Sequence, residues 1–430
     1  MKAANSVSNM QLAHEIAVDN NFHLKKVEPP SSGGLHKMVK EMVQKAFWDL
    51  LKEELEQDPP EYNRALILLE EIKEWLLSLL LPHQTKTQAE VKEKLDVDLI
   101  RQQVEAGTLD MHSYSQYIVG LMARLCAPGR DEKIRELTSL KDVVQLYKGI
   151  FETLELMRLD MANFTIRQIR PHIAANAVEY ERTKFEEYLK ITPDGLRNTR
   201  EWLYRHRVES SSCSGSASSS TDALHAISTI LVDAFMELLQ WDGKHPWPET
   251  VAMDEVRFCE LRNKLSALQL RSSILLVALS QSIGPLQTSA EFRNTLKEHV
   301  SVLVDDTKAE QSAATLTSVV AQVIKDINAG LVDQHLSPLT AELTQLITGQ
   351  LMDLLNPSSR VRQIIHTRIM EFLKQVISSD IARPTQIPPG LSLFRSEIAT
   401  VAGQLARLVS HNRAVFAQHY ADLIQKHCID

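Results

Sequence analysis

The sequence predicts an all-α protein, an irregular multi-helix bundle with no sheet, and three observations carry that expectation. Apolar residues recur at three- and four-residue spacing in one segment after another. Helix formers dominate, and the 14 glycines in 430 residues are about half of what an average usage of roughly 7% would supply. No segment alternates apolar and polar residues between hairpin turns, as a half-buried strand does. Hydrophobic residues at 44% and charged residues at 24% are those of a chain that buries a substantial core.

Taken in order, residues 1–34 lack periodicity and end in Pro29-Pro30-Ser31-Ser32-Gly33-Gly34, a flexible lead-in. From Leu35, Met38, Met42, Val43, Ala46, Phe47, Leu50 and Leu51 mark a helix that Asp58-Pro59-Pro60 stops. Residues 62–81 are apolar on more than one face and belong deep in the fold. Helical patterns follow over 96–106, 110–126, 132–170 and 171–190. Pro128-Gly129 ends one of these and Asp131 is placed to cap the next. Arg170-Pro171 is expected to kink or end a helix, and Thr192-Pro193 to start another.

Residues 209–222, ESSSCSGSASSSTD, bury too little apolar surface to offset their ordering entropy, which predicts a disordered, mobile serine-rich loop. Helical periodicity resumes over 224–241, 250–283, 290–304, 313–331, 339–355, 358–377 and 391–426, with Ser337-Pro338 and Asn356-Pro357 as cap-then-proline starts. The expected organisation is a lead-in (1–34), a helical part (35–208), the loop (209–222) and a second helical part (223–430) continuous with the first. Self-similarity at solenoid periods is missing.

A net charge of −8 argues against a protein built to hold nucleic acid. Cys126, Cys213, Cys259 and Cys428 are dispersed and read as reduced thiols of a cytoplasmic protein. The apolar run Trp75 to Leu81 is too short for a membrane span. Phosphate loops, His-Glu-x-x-His and Gly-x-Ser-x-Gly are missing, so no catalytic residue, cofactor or metal site is expected. His411, His419, His427 and Cys428 invite a metal reading. On one helix, however, eight residues advance about 12 Å and rotate by about 80°, so these groups cannot converge on one ion and read as polar surface histidines.

Two polar clusters stand out. Asp160, Asn163, Arg167 and Arg170 lie at three-four-three spacing, one stripe of an otherwise apolar helix. With Arg124, Arg130 and Asp131 of the Pro-Gly joint, they form either a buried network that sets helix packing or a polar groove for an acidic partner, and the network is the favoured reading. Arg197, Arg200, Arg205, His206 and Arg207 form a basic cluster just ahead of Ser210, a candidate phosphorylation site, although a solvated helix end beside an inert loop is the favoured reading. The same cluster suits acidic tubulin tails, whereas RNA ranks low for want of interleaved aromatics.

Several segments together resemble the T-complex protein 11-like family. They are PPEYNRALILLEEIKEWLLSLLLP (59–82), LMARLCAPGRDEKIREL (121–137), LMRLDMANFTIRQIRPHI (156–173), YERTKFEEYL (180–189) and SHNRAVFAQHYADLI (410–424). The similarity is to its broadly expressed "like" branch. It implies no catalytic activity and no cofactor, and it associates the chain with signalling, including cyclic-AMP-dependent kinase pathways, and with cytoskeletal settings. The expectation is a cytoplasmic adaptor or regulator that binds protein partners. The alternatives are a microtubule-associated protein and, third, an enzyme whose site residues are dispersed in sequence.

Overall fold

A computed structural model describes residues 2–26, 34–207, 220–281, 284–304, 312–378 and 386–427. Every regular element among them is helical. The chain divides into two compact units, one of Met1–Val18 with Ala175–Asp430 and one of Asp19–Ala174. The division is therefore not at the serine-rich segment.

The first element, α1 (Lys2–Val18), corrects the expectation that residues 1–34 form a flexible lead-in. Its local pattern is weak because a histidine occupies its inward face: His14 is buried along with Ile16 and Val18. Tertiary packing, rather than helix propensity, stabilises a segment of this kind. Residues 27–33 lie outside the described ones.

In the Asp19–Ala174 unit, α2 (Gly34–Glu56), α3 (Asn63–Leu79), α4 (Thr85–Lys94), α5 (Val97–Glu105), α6 (Met111–Leu125), α7 (Asp131–Ser139) and the start of α8 (Val143–Ile191) surround one core. Leu69, Ile72 and Leu76 of α3 pack there with Ile118 and Met122 of α6 and Tyr147, Ile150 and Leu154 of α8. The starts of α5 and α6 fall where the sequence places them, because Asp96 and Asp110 each accept two backbone N–H groups of the first turn.

Three expectations fail in this unit, the third only as to a helix end at Pro171. Asp131 is the first residue of α7 and not its cap, since Pro128–Arg130 forms a 3-10 turn that delivers the chain one residue earlier. The helix expected over 132–170 is broken before Val143. Pro171 neither ends α8 nor separates two helices; the roughly 3 kcal/mol an interior proline costs is offset by packing along α8, with Leu154 and Met157 buried before it and Ala177 and Phe185 after it. The apolar positions of α2 also divide. Leu51 is buried, but Met38, Met42, Val43 and Leu50 are exposed.

The other unit holds α1, the end of α8, α9 (Arg197–Tyr204), α10 (Ser220–Leu238), α11 (Glu255–Gln281), α12 (Ala290–Leu303), α13 (Ala313–Asp333), α14 (Ala341–Asp353), α15 (Arg360–Ser378) and α16 (Arg395–His427). Trp202, Phe235, Phe258, Ile274, Leu405 and Tyr420 lie in its core. The three expected cap-proline starts are displaced. Thr192-Pro193 precedes a turn and α9 begins at Arg197. Helix α14 takes Thr340 as its cap, the hydroxyl accepting the Leu343 N–H at 3.3 Å, and α15 begins at Arg360. In each case the proline shapes the connection instead of occupying the first turn. Among the described residues no helix is long and apolar enough to cross a membrane.

Candidate functional site

The least expected feature of the larger unit is a buried polar centre. His14 of α1 places Nδ1 3.0 Å from Glu181 Oε2 on α8 and Nε2 2.9 Å from Asp254 Oδ1, the residue just before α11. His411 of α16 reaches the other Glu181 oxygen, with Nε2 2.9 Å from Oε1. Arg257 donates to Asp254 Oδ1 at 2.9 Å and also to Glu15. Beside them, the Tyr420 hydroxyl donates to Asn412 Oδ1 at 2.6 Å, and the Asn412 amide donates to the Thr250 carbonyl at 2.6 Å. The two imidazoles meet edge-on with ring centroids 5.2 Å apart.

His14, Glu181 and Asp254 are 3%, 1% and 2% exposed, so water contributes little to holding their charge and their partners must do so. Burial opposes an imidazolium at His14, yet the hydrogen bonds to Asp254 and Glu181 outweigh it and raise its pKa to about 9. Burial likewise opposes a charged Glu181, and the bonds from His14 and His411 reverse the effect, holding the carboxyl below its ordinary range. Among the described residues, His14, Glu181 and His411 are the set with spacing to hold a metal ion, their ligand atoms lying within 4.8 Å of one another.

This arrangement corrects the reading of the carboxy-terminal histidines. The helical spacing does keep His411 and His419 from sharing one ion. Neither, however, is a polar surface residue: His411 is bonded to Glu181, and the half-buried His419 ring stands 5.5 Å from Phe185. The partners of His411 come from helices far away in sequence, which spacing along one helix cannot reveal. His427 and Cys428 are not among the residues whose side chains are described.

The joint and the stripe are more exposed than expected. Arg130 grips Asp160 through two hydrogen bonds of 2.9 and 3.1 Å, with both side chains about 30% exposed. Arg124 pairs with Glu90 on the surface. Asp131 accepts from the Cys126 thiol at 3.3 Å; burial and this carboxylate push the thiol pKa up, the opposite of nucleophile activation. Asn163 clamps both the N–H and the C=O of Leu24, at 2.6 and 3.0 Å. Arg170 donates to the carbonyls of Asp19 and Phe22 at 2.6 and 2.9 Å. Asn163 and Arg170 of the stripe therefore strap the turn and coil after α1 onto α8. Arg167 is exposed on the wall of a 370 Å³ cleft that Leu125, Met157, Asp160 and Phe164 also line.

The basic cluster is largely satisfied internally. Arg197 pairs with Glu201 and Arg200 with Asp194. Arg205 and His206 both hold Glu237 of α10, at 3.0 and 2.7 Å, and the Arg205 guanidinium also lies over Trp241. Arg207 stacks on Tyr204. Ser210 lies outside the described residues.

A groove of 750 Å³ runs along α11 and α14. Leu276, Val277, Leu346 and Val361 give it an apolar lining, and Glu342 and Asp353 add negative charge. Leu346 is 47% exposed, and a side chain built on Gly349 would meet nothing within 4 Å, so this lining is open.

Neither the buried centre nor the groove stands out in the sequence. His14 sits in a helix with a poor pattern, and Asp254 in a short turn. A usable signal did exist: Glu181 lies within YERTKFEEYL, and His411, Asn412 and Tyr420 lie within SHNRAVFAQHYADLI, two of the segments that carry the family resemblance.

A family model described as T-complex protein 11 matches residues 12–425. The human T-complex protein 11-like X-linked protein 2 is 36% identical over 449 residues, covering 100% of this chain and 89% of that relative. The human T-complex protein 11 homolog is 36% identical over 444 residues, covering 99% of this chain and 87% of the relative. Protein SOK1 of Saccharomyces cerevisiae is 25% identical over 274 residues, 60% of this chain and 30% of that protein. No solved structure matches.

Proposed function

This chain belongs to the T-complex protein 11 family, and on that premise we propose that it is a non-enzymatic adaptor or regulator in intracellular signalling, linked to cyclic-AMP-dependent kinase pathways. The observation that carries this reading is the open groove along α11 and α14. Its lining is apolar where Leu276, Val277 and Leu346 stand and acidic at Glu342 and Asp353. That chemistry fits an amphipathic helix of a partner protein, with aliphatic residues on one face and lysine or arginine beside it. Such a groove supplies binding without any group poised for chemistry, in keeping with family relatives whose names specify no reaction.

Proximity labelling in cells tests the reading when the wild-type chain is compared with a Leu346→Glu, Gly349→Trp double variant. Components of cyclic-AMP-dependent kinase signalling are expected among the wild-type neighbours and should be depleted for the variant. Identical neighbours for both chains, or none from that pathway, would overturn it. The microtubule alternative has less support, since Arg205 and His206 are held by Glu237. Salt-sensitive cosedimentation with microtubules would restore it.

A further inference from the structure

The centre gathers several carboxylates, Glu181 and Asp254 buried and Glu15 partly exposed. Glu15, Glu181 and Asp254 are three carboxylates facing one guanidinium, Arg257, and two imidazoles. Buried ions persist only when compensated, and two kinds of compensation fit this geometry: protons on the imidazoles, or one divalent cation.

Three donor groups lie close together: a ring nitrogen of His14, a Glu181 carboxylate oxygen and a ring nitrogen of His411, all within 4.8 Å of one another, with His14 Nδ1 3.0 Å from one Glu181 oxygen and His411 Nε2 2.9 Å from the other. The remaining His14 nitrogen lies 2.9 Å from Asp254 Oδ1, which is the outer carboxylate that fixes the ring and tautomer of a metal-bound histidine. Two imidazoles with one carboxylate suit zinc and similar borderline divalent ions, whereas calcium and magnesium take oxygen donors. The donors stand on α1, α8 and α16, and His14 is 167 residues from Glu181.

We propose that His14, Glu181 and His411 form a zinc-class divalent metal site that clips the amino-terminal helix α1 to α8 and α16. On binding, the ion takes the place of the protons that bridge His14 Nδ1 and His411 Nε2 to Glu181. The His14 proton leaves to solvent while Nε2–H keeps its bond to Asp254, and the His411 Nε2 proton leaves to solvent or moves to Nδ1, so that each ring binds as a neutral imidazole. Water completes the coordination. The site shares no residue with the groove on α11 and α14, so either reading can fail alone.

The full-length chain, stripped with a chelator and desalted, is mixed with excess zinc, passed through gel filtration and assayed by elemental mass spectrometry. One zinc per chain is expected, together with a zinc-dependent rise in Tm. Cobalt in place of zinc should give visible ligand-field absorption. His411→Gln and Glu181→Gln should lose the bound ion, and His419→Gln should keep it. Circular dichroism establishes that each variant is helical, and the wild-type measurement decides even where a variant does not fold. Wild-type chain that retains no stoichiometric zinc, or His411→Gln and Glu181→Gln chains that retain as much as wild type, would overturn the site.

Discussion

The buried centre around Glu181 and the Arg130–Asp160 pair are built from similar groups, yet their surroundings differ. Each joins residues remote in sequence through charge-assisted hydrogen bonds. Arg130 and Asp160 are about 30% exposed, so water takes over much of the interaction when either partner is removed. Glu181 is 1% exposed and bonded to two imidazoles, and removing it leaves buried donors with no acceptor. Burial, more than the number of contacts, decides how much a polar group matters.

The sharpest way to break this contrast is Glu181→Ala with a chelator present. It is expected to cost about 3–5 kcal/mol, the loss typical of breaking one side of a buried pair, read as a lower midpoint in urea. A loss comparable with that of a surface pair would show that the centre is open to water.

Next in size is Glu237, which Arg205 and His206 hold. Burial opposes its charge, but the bond from His206 and the field of Arg205 win and lower its pKa. A lowered carboxyl pKa adds stability that is present above the unfolded value of 4.5 and is lost as pH falls through the folded one. Wild type should therefore lose about 1 kcal/mol more than Glu237→Gln on acidification through this range. Parallel stability curves for the two chains would show that this partly exposed pair contributes nothing.

Smallest are the effects at the stripe. Arg130→Ala should cost at most about 1 kcal/mol. Arg167→Ala, at an exposed position on the cleft wall, should stay within roughly 0.5 kcal/mol of wild type. A larger loss at Arg167 than at Arg130 would reverse the assignment of which arginine holds structure.

Much of the fold was legible in the sequence because helical periodicity and capping are local. Asp96 and Asp110 start α5 and α6 as their position before an apolar pattern implies, and α10 to α16 fall close to the periodic segments. The site was less legible. Arg130, Asp160, Asn163 and Arg170 each bond to another segment, but the stripe is not enclosed and Arg167 is exposed, since period alone does not say which face of a helix is covered. His14 lies in a segment without helical periodicity, and the spacing of His411 along its own helix does not reveal partners on other helices.

By itself, the sequence determined the all-helical class, most helix positions and the family, properties encoded in short-range spacing and in recognisable segments. Tertiary structure alone decided that α1 is ordered, that α8 runs through Pro171, that Met38 and Met42 face outward, and that His14, Glu181, Asp254 and His411 meet. The physical reason is that a buried charge is tolerable only with partners, and those partners come from distant parts of the chain, where no local pattern records them.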